Sequence, residues 1–252
     1  MRIRVFDSPK DAGIYAATLI EQVIVHVNHP VLGLATGSTV IPCYQAFRAL
    51  ADCGLDLSRC VTINLDEYVG LPADHPQSYH HFMRENLFRH LQVQPAETHV
   101  PNGVADNLEE ECKRYDGLIQ SHPIDLQLLG IGVNGHIGFN EPSHTLMSRT
   151  HVVSLSEETI KSNARFFDTV EDVPHQAVTM GVQAILQAKQ IVLVAFGKNK
   201  AKAVAESVSG SVQTNVPASM LQLHRDVTWV LDRESASLLP PELWPGSARD
   251  AL

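Results

Sequence analysis

Val31-Leu32-Gly33-Leu34-Ala35-Thr36-Gly37-Ser38-Thr39 decides how this chain folds. Residues 31–35 run apolar without polar alternation, so they read as a strand buried on both faces. Gly37 permits a tight turn. Ser38 and Thr39 then stand where a helix over 39–51 begins. A buried strand that passes through a glycine turn straight into a helix is the opening half of a parallel crossover unit.

The alternation continues on both sides. Residues 2–6, 60–65, 124–130, 152–155, 191–196 and 227–231 read as strands. Residues 9–28, 79–91, 107–121, 156–164, 174–188 and 200–209 read as helices. In the first of these, Ala12, Ala16, Leu19, Ile20, Val23 and Val27 keep helical spacing. Ser156 opens another with a Ser-x-x-Glu-like cap. Residues 240–252 are Pro-rich and weakly patterned. The expectation is one α/β domain over residues 1–252. Its core is a doubly wound, mostly parallel, Rossmann-like sheet with helices on both faces. Such sheets bind ligands at the carboxyl ends of their strands, so the residues just after each strand matter most.

At 252 residues and 44% hydrophobic content the chain is long enough to bury a core without a disulfide or a structural metal. Nineteen Lys and Arg against 28 Asp and Glu give a net charge of −9. That balance argues against a general nucleic-acid or membrane binder, while leaving room for a local basic pocket. No apolar run approaches the ~18 residues of a membrane span. The start, Met1-Arg2-Ile3-Arg4-Val5-Phe6-Asp7, lacks the apolar core of a secretory signal. Cys43, Cys53, Cys60 and Cys112 form neither a Cys-x-x-Cys pair nor a zinc spacing, and read as reduced thiols. A cytoplasmic location is expected.

Four segments carry chemistry. Gly37, Ser38 and Thr39 place small residues and hydroxyls beside the free N–H groups of a helix start, which favours an anion such as phosphate; a plain helix cap is the alternative. Asn64-Leu65-Asp66-Glu67-Tyr68-Val69-Gly70-Leu71 sets two acids directly after a strand. Adjacent side chains there point in different directions, so one of Asp66 and Glu67 faces a substrate as general base. Gly130-Ile131-Gly132-Val133-Asn134-Gly135-His136-Ile137-Gly138-Phe139-Asn140-Glu141-Pro142 holds four glycines around His136. His136 suits proton transfer near neutrality, with Asn134 and Glu141 placed to orient it. Arg165 and Lys200 are cations able to clamp a phosphate, or else solvated surface charges.

Together these segments resemble the glucosamine-6-phosphate deaminase family, from about Arg2 to Arg233. The motifs that carry the likeness are Leu65-Asp66-Glu67-Tyr68-Val69-Gly70-Leu71, Gly135-His136-Ile137-Gly138-Phe139-Asn140-Glu141-Pro142, Ser148-Arg149-Thr150 and Asn163-Ala164-Arg165-Phe166-Phe167. The resemblance implies conversion of glucosamine 6-phosphate and water to fructose 6-phosphate and ammonia, with no metal or organic cofactor. It implies that Asp66 moves a proton between C2 and C1, that His136 opens the pyranose ring, and that Glu141 supports His136. Asn134 falls where members carry Asp or Asn. Gly37, Ser38, Thr39, Arg165 and Lys200 match phosphate positions, and residues 156–176 match a mobile lid. The fold is shared with 6-phosphogluconolactonase.

One departure stands out. Allosteric members are similar to each other in an Arg-x-Lys pair after the Ser-Arg-Thr run, and this chain has His151-Val152-Val153 there. No activation by N-acetylglucosamine 6-phosphate is expected, and the chain is read as a monomer or small homo-oligomer. Two other readings compete. A lactonase-type hydrolase resembles Gly-x-Gly-x-Asp-Gly-His-x-Ala-Ser-Leu-Phe-Pro, unlike the Phe139-Asn140-Glu141 run here. A sugar-phosphate-sensing domain is expected to follow a DNA-binding segment, whereas here Met1 leads directly into a strand.

Overall fold

The computed structural model describes residues 1–244. The elements run β1 (Arg2–Phe6), α1 (Pro9–His26), β2 (Val31–Leu34), α2 (Ile41–Asp52), β3 (Val61–Asn64), β4 (Asp66–Tyr68), α3 (Tyr79–Asn86), β5 (Glu97–His99) and α4 (Leu108–Ser121). Next come β6 (Leu126–Leu129), β7 (His151–Ser154), α5 (Glu157–Asn163), β8 (Gln176–Thr179), α6 (Val182–Gln187), β9 (Gln190–Ala195), α7 (Ala201–Ser209) and β10 (Val227–Asp232). Most of the weakly patterned tail, from residue 245 onward, lies outside the described residues.

Seven strands form one parallel sheet in the order β1-β10-β9-β6-β2-β3-β5. β2, β6 and β10 are buried at every position, which is why their sequences lack the regular apolar–polar alternation of a half-exposed strand. The strand order reverses between β2 and β6, and that switch opens a crevice at their carboxyl ends. Helix α1 begins at Ser8, whose hydroxyl accepts the Asp11 N–H at 3.1 Å, with Pro9 in the first turn. Its Ala12, Ala16, Ile20 and Ile24 face is buried, and α1 packs on α2. At the opposite end of the sheet, Asp125 accepts the Val31 N–H at 2.9 Å and the Lys189 ammonium at 2.6 Å, tying the starts of three strands.

The mostly parallel sheet agrees with the sequence reading; a second sheet does not appear in it. β4, β8 and β7 form a small antiparallel sheet. The helix expected over residues 174–188 is therefore two elements, strand β8 and the short helix α6. β8 owes its form to pairing on both edges, Val178 opposite Glu67 and Val152, which local spacing cannot reveal. The chain leaves the main sheet at Leu65, whose N–H donates to Leu34 and whose carbonyl accepts from Met180. Asp66 is the first residue after that step. Beneath the small sheet Tyr68, Phe139, Leu155 and Ala177 make a separate apolar cluster.

Candidate active site

A cavity of about 410 Å³ lies at the strand-order switch. Its walls come from the loops after β2, β3, β6 and β9 and from the segment around α5. Asp66, His136, Gly37, Ser38, Thr39, Arg165 and Lys200 all line it. Asn134 and Glu141 are not on the wall; they stand behind His136.

Two loops of the same build face the cavity. After β2, Gly37 turns at φ +94° into the 3-10 turn Ser38–Val40 and then α2. After β9, Gly197 turns at φ +89° into the 3-10 turn Lys198–Lys200 and then α7. Both turns need a left-handed backbone that only glycine adopts without strain. The loops differ in what their amides do. The Gly197 N–H donates to Asp232 at 2.9 Å and the Lys198 N–H to Glu234 at 3.2 Å. The N–H groups of Gly37, Ser38 and Thr39 meet no acceptor among the described residues. One loop thus offers amides and the other offers the Lys200 ammonium.

Arg165 reaches across from the 3-10 turn after α5 and donates to Ser38 Oγ at 3.0 Å. Among the described residues neither Arg165 nor Lys200 lies within ion-pair distance of a carboxylate. Burial, with the Arg165 charge beside it, lowers the Lys200 ammonium to about 8. Two cations without a carboxylate partner among the described residues, beside free amides, are chemically able to hold a dianion.

Asp66 and Glu67 part ways. Asp66 is 6% exposed and faces the cavity, and burial followed by the Glu67 charge raises its carboxyl to about 8. Glu67 points into the protein and is fully buried. Its carboxylate accepts the N–H groups of Tyr68, Tyr79 and His80 at 2.8–3.0 Å and the His80 ring Nδ1 at 2.9 Å. It satisfies the first turn of α3 and fastens that helix to β4. Nothing in the sequence marks this role, because the donors come from residues 79 and 80 and the acceptor from residue 67.

His136 sits in a tight loop closed by the Gly132 N–H to the His136 carbonyl at 2.9 Å. A Cβ at residue 132 would stand 2.4 Å from the imidazole, so the ring lies flat on glycine backbone rather than turning freely in open space. His136 Nδ1 is 3.6 Å from Glu141 Oε2, an ion-pair separation beyond hydrogen-bond range. Asn134 does not bond the ring. Its Oδ1 accepts the His136 N–H at 3.2 Å, and its Nδ2 donates to Glu141 Oε2 at 2.9 Å. A backbone donor on one side and a carboxylate on the other fix the amide's orientation. Burial pushes the Glu141 carboxyl up, but His136, Thr159 and Asn134 outweigh it and hold it at about 2.

The sequence reading also passed over the residues that hold this loop from outside. The Phe139 N–H donates to Thr179 Oγ1 at 3.1 Å, and Asn140 Nδ2 donates to the Ile137 and Met180 carbonyls at 2.9 Å. These contacts depend on β8, the strand that spacing misread. Among the described residues no group of three His, Cys, Asp or Glu side chains converges as a metal site would.

A parallel sheet whose cavity gathers two cations and free amides on one side and a buried carboxyl beside an imidazole on the other has the build of an α/β enzyme. The chain belongs to the family described as glucosamine-6-phosphate isomerases/6-phosphogluconolactonase, whose model matches residues 9–229. Within that family, a glucosamine-6-phosphate deaminase of Thermoanaerobacter pseudethanolicus is 51% identical over 229 residues, 90% of each chain. The glucosamine-6-phosphate deaminase of Halothermothrix orenii is 49% identical over 241 residues, covering 95% of this chain and all of that one. A solved monomeric glucosamine-6-phosphate deaminase superposes with a TM-score of 0.92 at 45% identity, over 94% of this chain and 100% of that one. The 6-phosphogluconolactonase of Trypanosoma cruzi shares the fold at a TM-score of 0.75 and 20% identity, over 94% and 96% of the two chains.

Proposed function

We propose that this chain is an aldose–ketose isomerase/deaminase that converts glucosamine 6-phosphate and water to fructose 6-phosphate and ammonia. The observation that carries the reading is one cavity with a raised carboxyl, Asp66, on one side and the uncompensated Arg165–Lys200 pair on the other. The phosphate docks on the Gly37–Thr39 amides, Arg165 and Lys200, and its binding energy holds the reacting carbons near Asp66 and His136. His136 relays a proton from the C1 hydroxyl to the ring oxygen and the pyranose opens, with Glu141 facing the imidazolium that forms. Asp66 takes the proton from C2 and returns it to C1. The electron pair of the C2–H bond forms a C1–C2 double bond while the C1 oxygen gains the proton that the substrate ammonium gives up; when C1 takes back its proton the nitrogen lone pair forms C2=N, so C1 is an alcohol and C2 a ketiminium. Water adds to the ketiminium, and ammonia leaves.

A carboxyl held at about 8 suits this step, since a base matched to the operating pH combines ionised population with proton affinity. Residues 156–176 act as a lid within a single working unit, closing when the phosphate engages Arg165. The chain works as a monomer in the cytoplasm, in line with the 0.92 superposition on a monomeric deaminase; no helix among the described residues is long and apolar enough to cross a membrane. The test is ammonia release from glucosamine 6-phosphate with fructose 6-phosphate assayed in parallel. Equal appearance of both supports the reading. Tight sugar-phosphate binding with no release refutes it and favours the sensing alternative.

A further inference from the structure

Helix α5 touches the acid pair and leads into the phosphate clamp. Its cap residue Ser156 accepts the Thr159 N–H at 3.2 Å; the Ser-x-x-Glu-like cap expected from the sequence is not made, because Thr159 occupies the position where a capping box would place a Glu or Gln. Freed of that duty, the Thr159 hydroxyl donates to Glu141 Oε1 at 2.5 Å, and Ser156 Oγ donates to Glu141 Oε2 at 3.2 Å. Thr159 is 3% exposed. At the other end of the same helix Asn163 donates to the Tyr68 hydroxyl at 2.8 Å, two residues from Asp66. Arg165 follows with its bond to Ser38.

We infer that Thr159 is a positioning residue for the ring-opening step: its hydroxyl fixes Glu141 against His136 and ties that pair to the segment that carries Arg165. The inference rests on the deaminase reading. Glu141 has four side chains around it, His136, Asn134, Ser156 and Thr159, and among the described residues no Lys or Arg comes within ion-pair distance of it. Among the described residues Thr159 is the one donor to Oε1, so its loss frees that oxygen while Oε2 keeps its partners. A carboxylate turned by even about 1 Å is enough to cost on the order of a hundredfold in rate.

The test compares Thr159→Val with Thr159→Ser in the full chain. The wild type must first release ammonia from glucosamine 6-phosphate; absence of release overturns the deaminase reading, and the inference with it. In an active enzyme, Thr159→Val is expected to lower kcat about ten- to a hundredfold. KM and the affinity for glucitol 6-phosphate, an open-chain analogue without the amine, stay within about twofold because the phosphate cradle is intact. Thr159→Ser restores kcat to within about threefold. The second readout does not use activity. The 13C signal of the Glu141 carboxyl, followed from neutral pH downward, begins to protonate at higher pH in Thr159→Val than in wild type, because a donor to the ionised form is gone. An unchanged kcat, a loss confined to KM, failure of Thr159→Ser to rescue, or a Glu141 titration identical to wild type each overturns the inference while leaving the deaminase reading in place.

Discussion

Asp66→Asn is expected to abolish turnover and at the same time make the protein more stable. Asp66 is held at about 8 by burial and by Glu67, against 3.8 for a free carboxyl. Below 3.8 the side chain is protonated both folded and unfolded, and no difference arises. Between 3.8 and about 8 the unfolded chain releases a proton that the folded chain retains, so stability falls as pH rises through this window. At about 1.4 kcal/mol per pH unit, the window sets a ceiling near 6 kcal/mol on the cost at pH 8. The carboxyl borders an open cavity, and water there reduces the cost, so about 2–3 kcal/mol is expected in practice. Asparagine is neutral and nearly the same shape, and no hydrogen bond to the Asp66 side chain is lost among the described residues. For a chain of this size, each kcal/mol moves Tm by about 2–4 °C. Thermal unfolding of wild type and Asp66→Asn at pH 5, 6, 7 and 8 should show a gap that is smallest at pH 5 and reaches about 4–12 °C at pH 8. A variant no more stable than wild type, or a gap that does not widen with pH, refutes the assignment of Asp66 as a buried, proton-hungry base.

Asn134→Asp would set a second carboxylate at the 2.9 Å contact with Glu141, replacing a donor by a like charge. The pair would then hold a proton, so the Tm loss relative to wild type should be larger at pH 8 than at pH 5; a pH-independent loss contradicts this account. Lys200 stands at about 8 because of burial and Arg165, so kcat/KM should fall on the alkaline side as Lys200 loses its charge, while Asp66 gives the acid limb. In Arg165→Ala, KM should rise at least tenfold and the alkaline limb should move to higher pH, since a neighbouring positive charge is removed; an unmoved limb disproves the coupling. N-acetylglucosamine 6-phosphate should leave the rate curve of the wild type hyperbolic and unchanged. A second cavity of about 350 Å³ beside Glu141 is lined by His151, Val152, Val153 and Ser154, and among its described lining residues there is no Lys or Arg to take a phosphate. Sigmoidal kinetics relieved by this ligand would overturn the expectation.

The main sheet was legible because buried parallel strands write themselves as largely apolar runs: residues 191–196 are apolar throughout, and residues 227–231 are interrupted by Thr228 alone. The small sheet was not. Asp66-Glu67-Tyr68 has two acids, poor strand formers by propensity, and becomes a strand only through its partner Gln176–Thr179. That partner in turn sits among Val173, Val178, Val182 and Ile185, whose spacing suits a helix. In the site, Gly37, Ser38, Thr39, Asp66 and His136 were singled out because they lie in the segments that follow strands. The contacts between side chains around His136 were not. Asn134 was placed to orient the histidine ring, yet its amide serves the Glu141 carboxylate, and Thr159 was hidden in a helix cap. Such second contacts join residues far apart in sequence, and no local pattern records them.

The cavity walls draw on residues within 35–39, 65–66, 130–133, 136–139, 159–166 and 196–200, with Tyr79 beside them and the matched glycine loops about 160 positions apart. No contiguous half of the chain contains a complete site. Long-range contacts of this kind form late, after the closure entropy of the intervening loops has been overcome. Recovery of catalysis after dilution from denaturant therefore reports the docking of all these segments, behind the regain of helical signal.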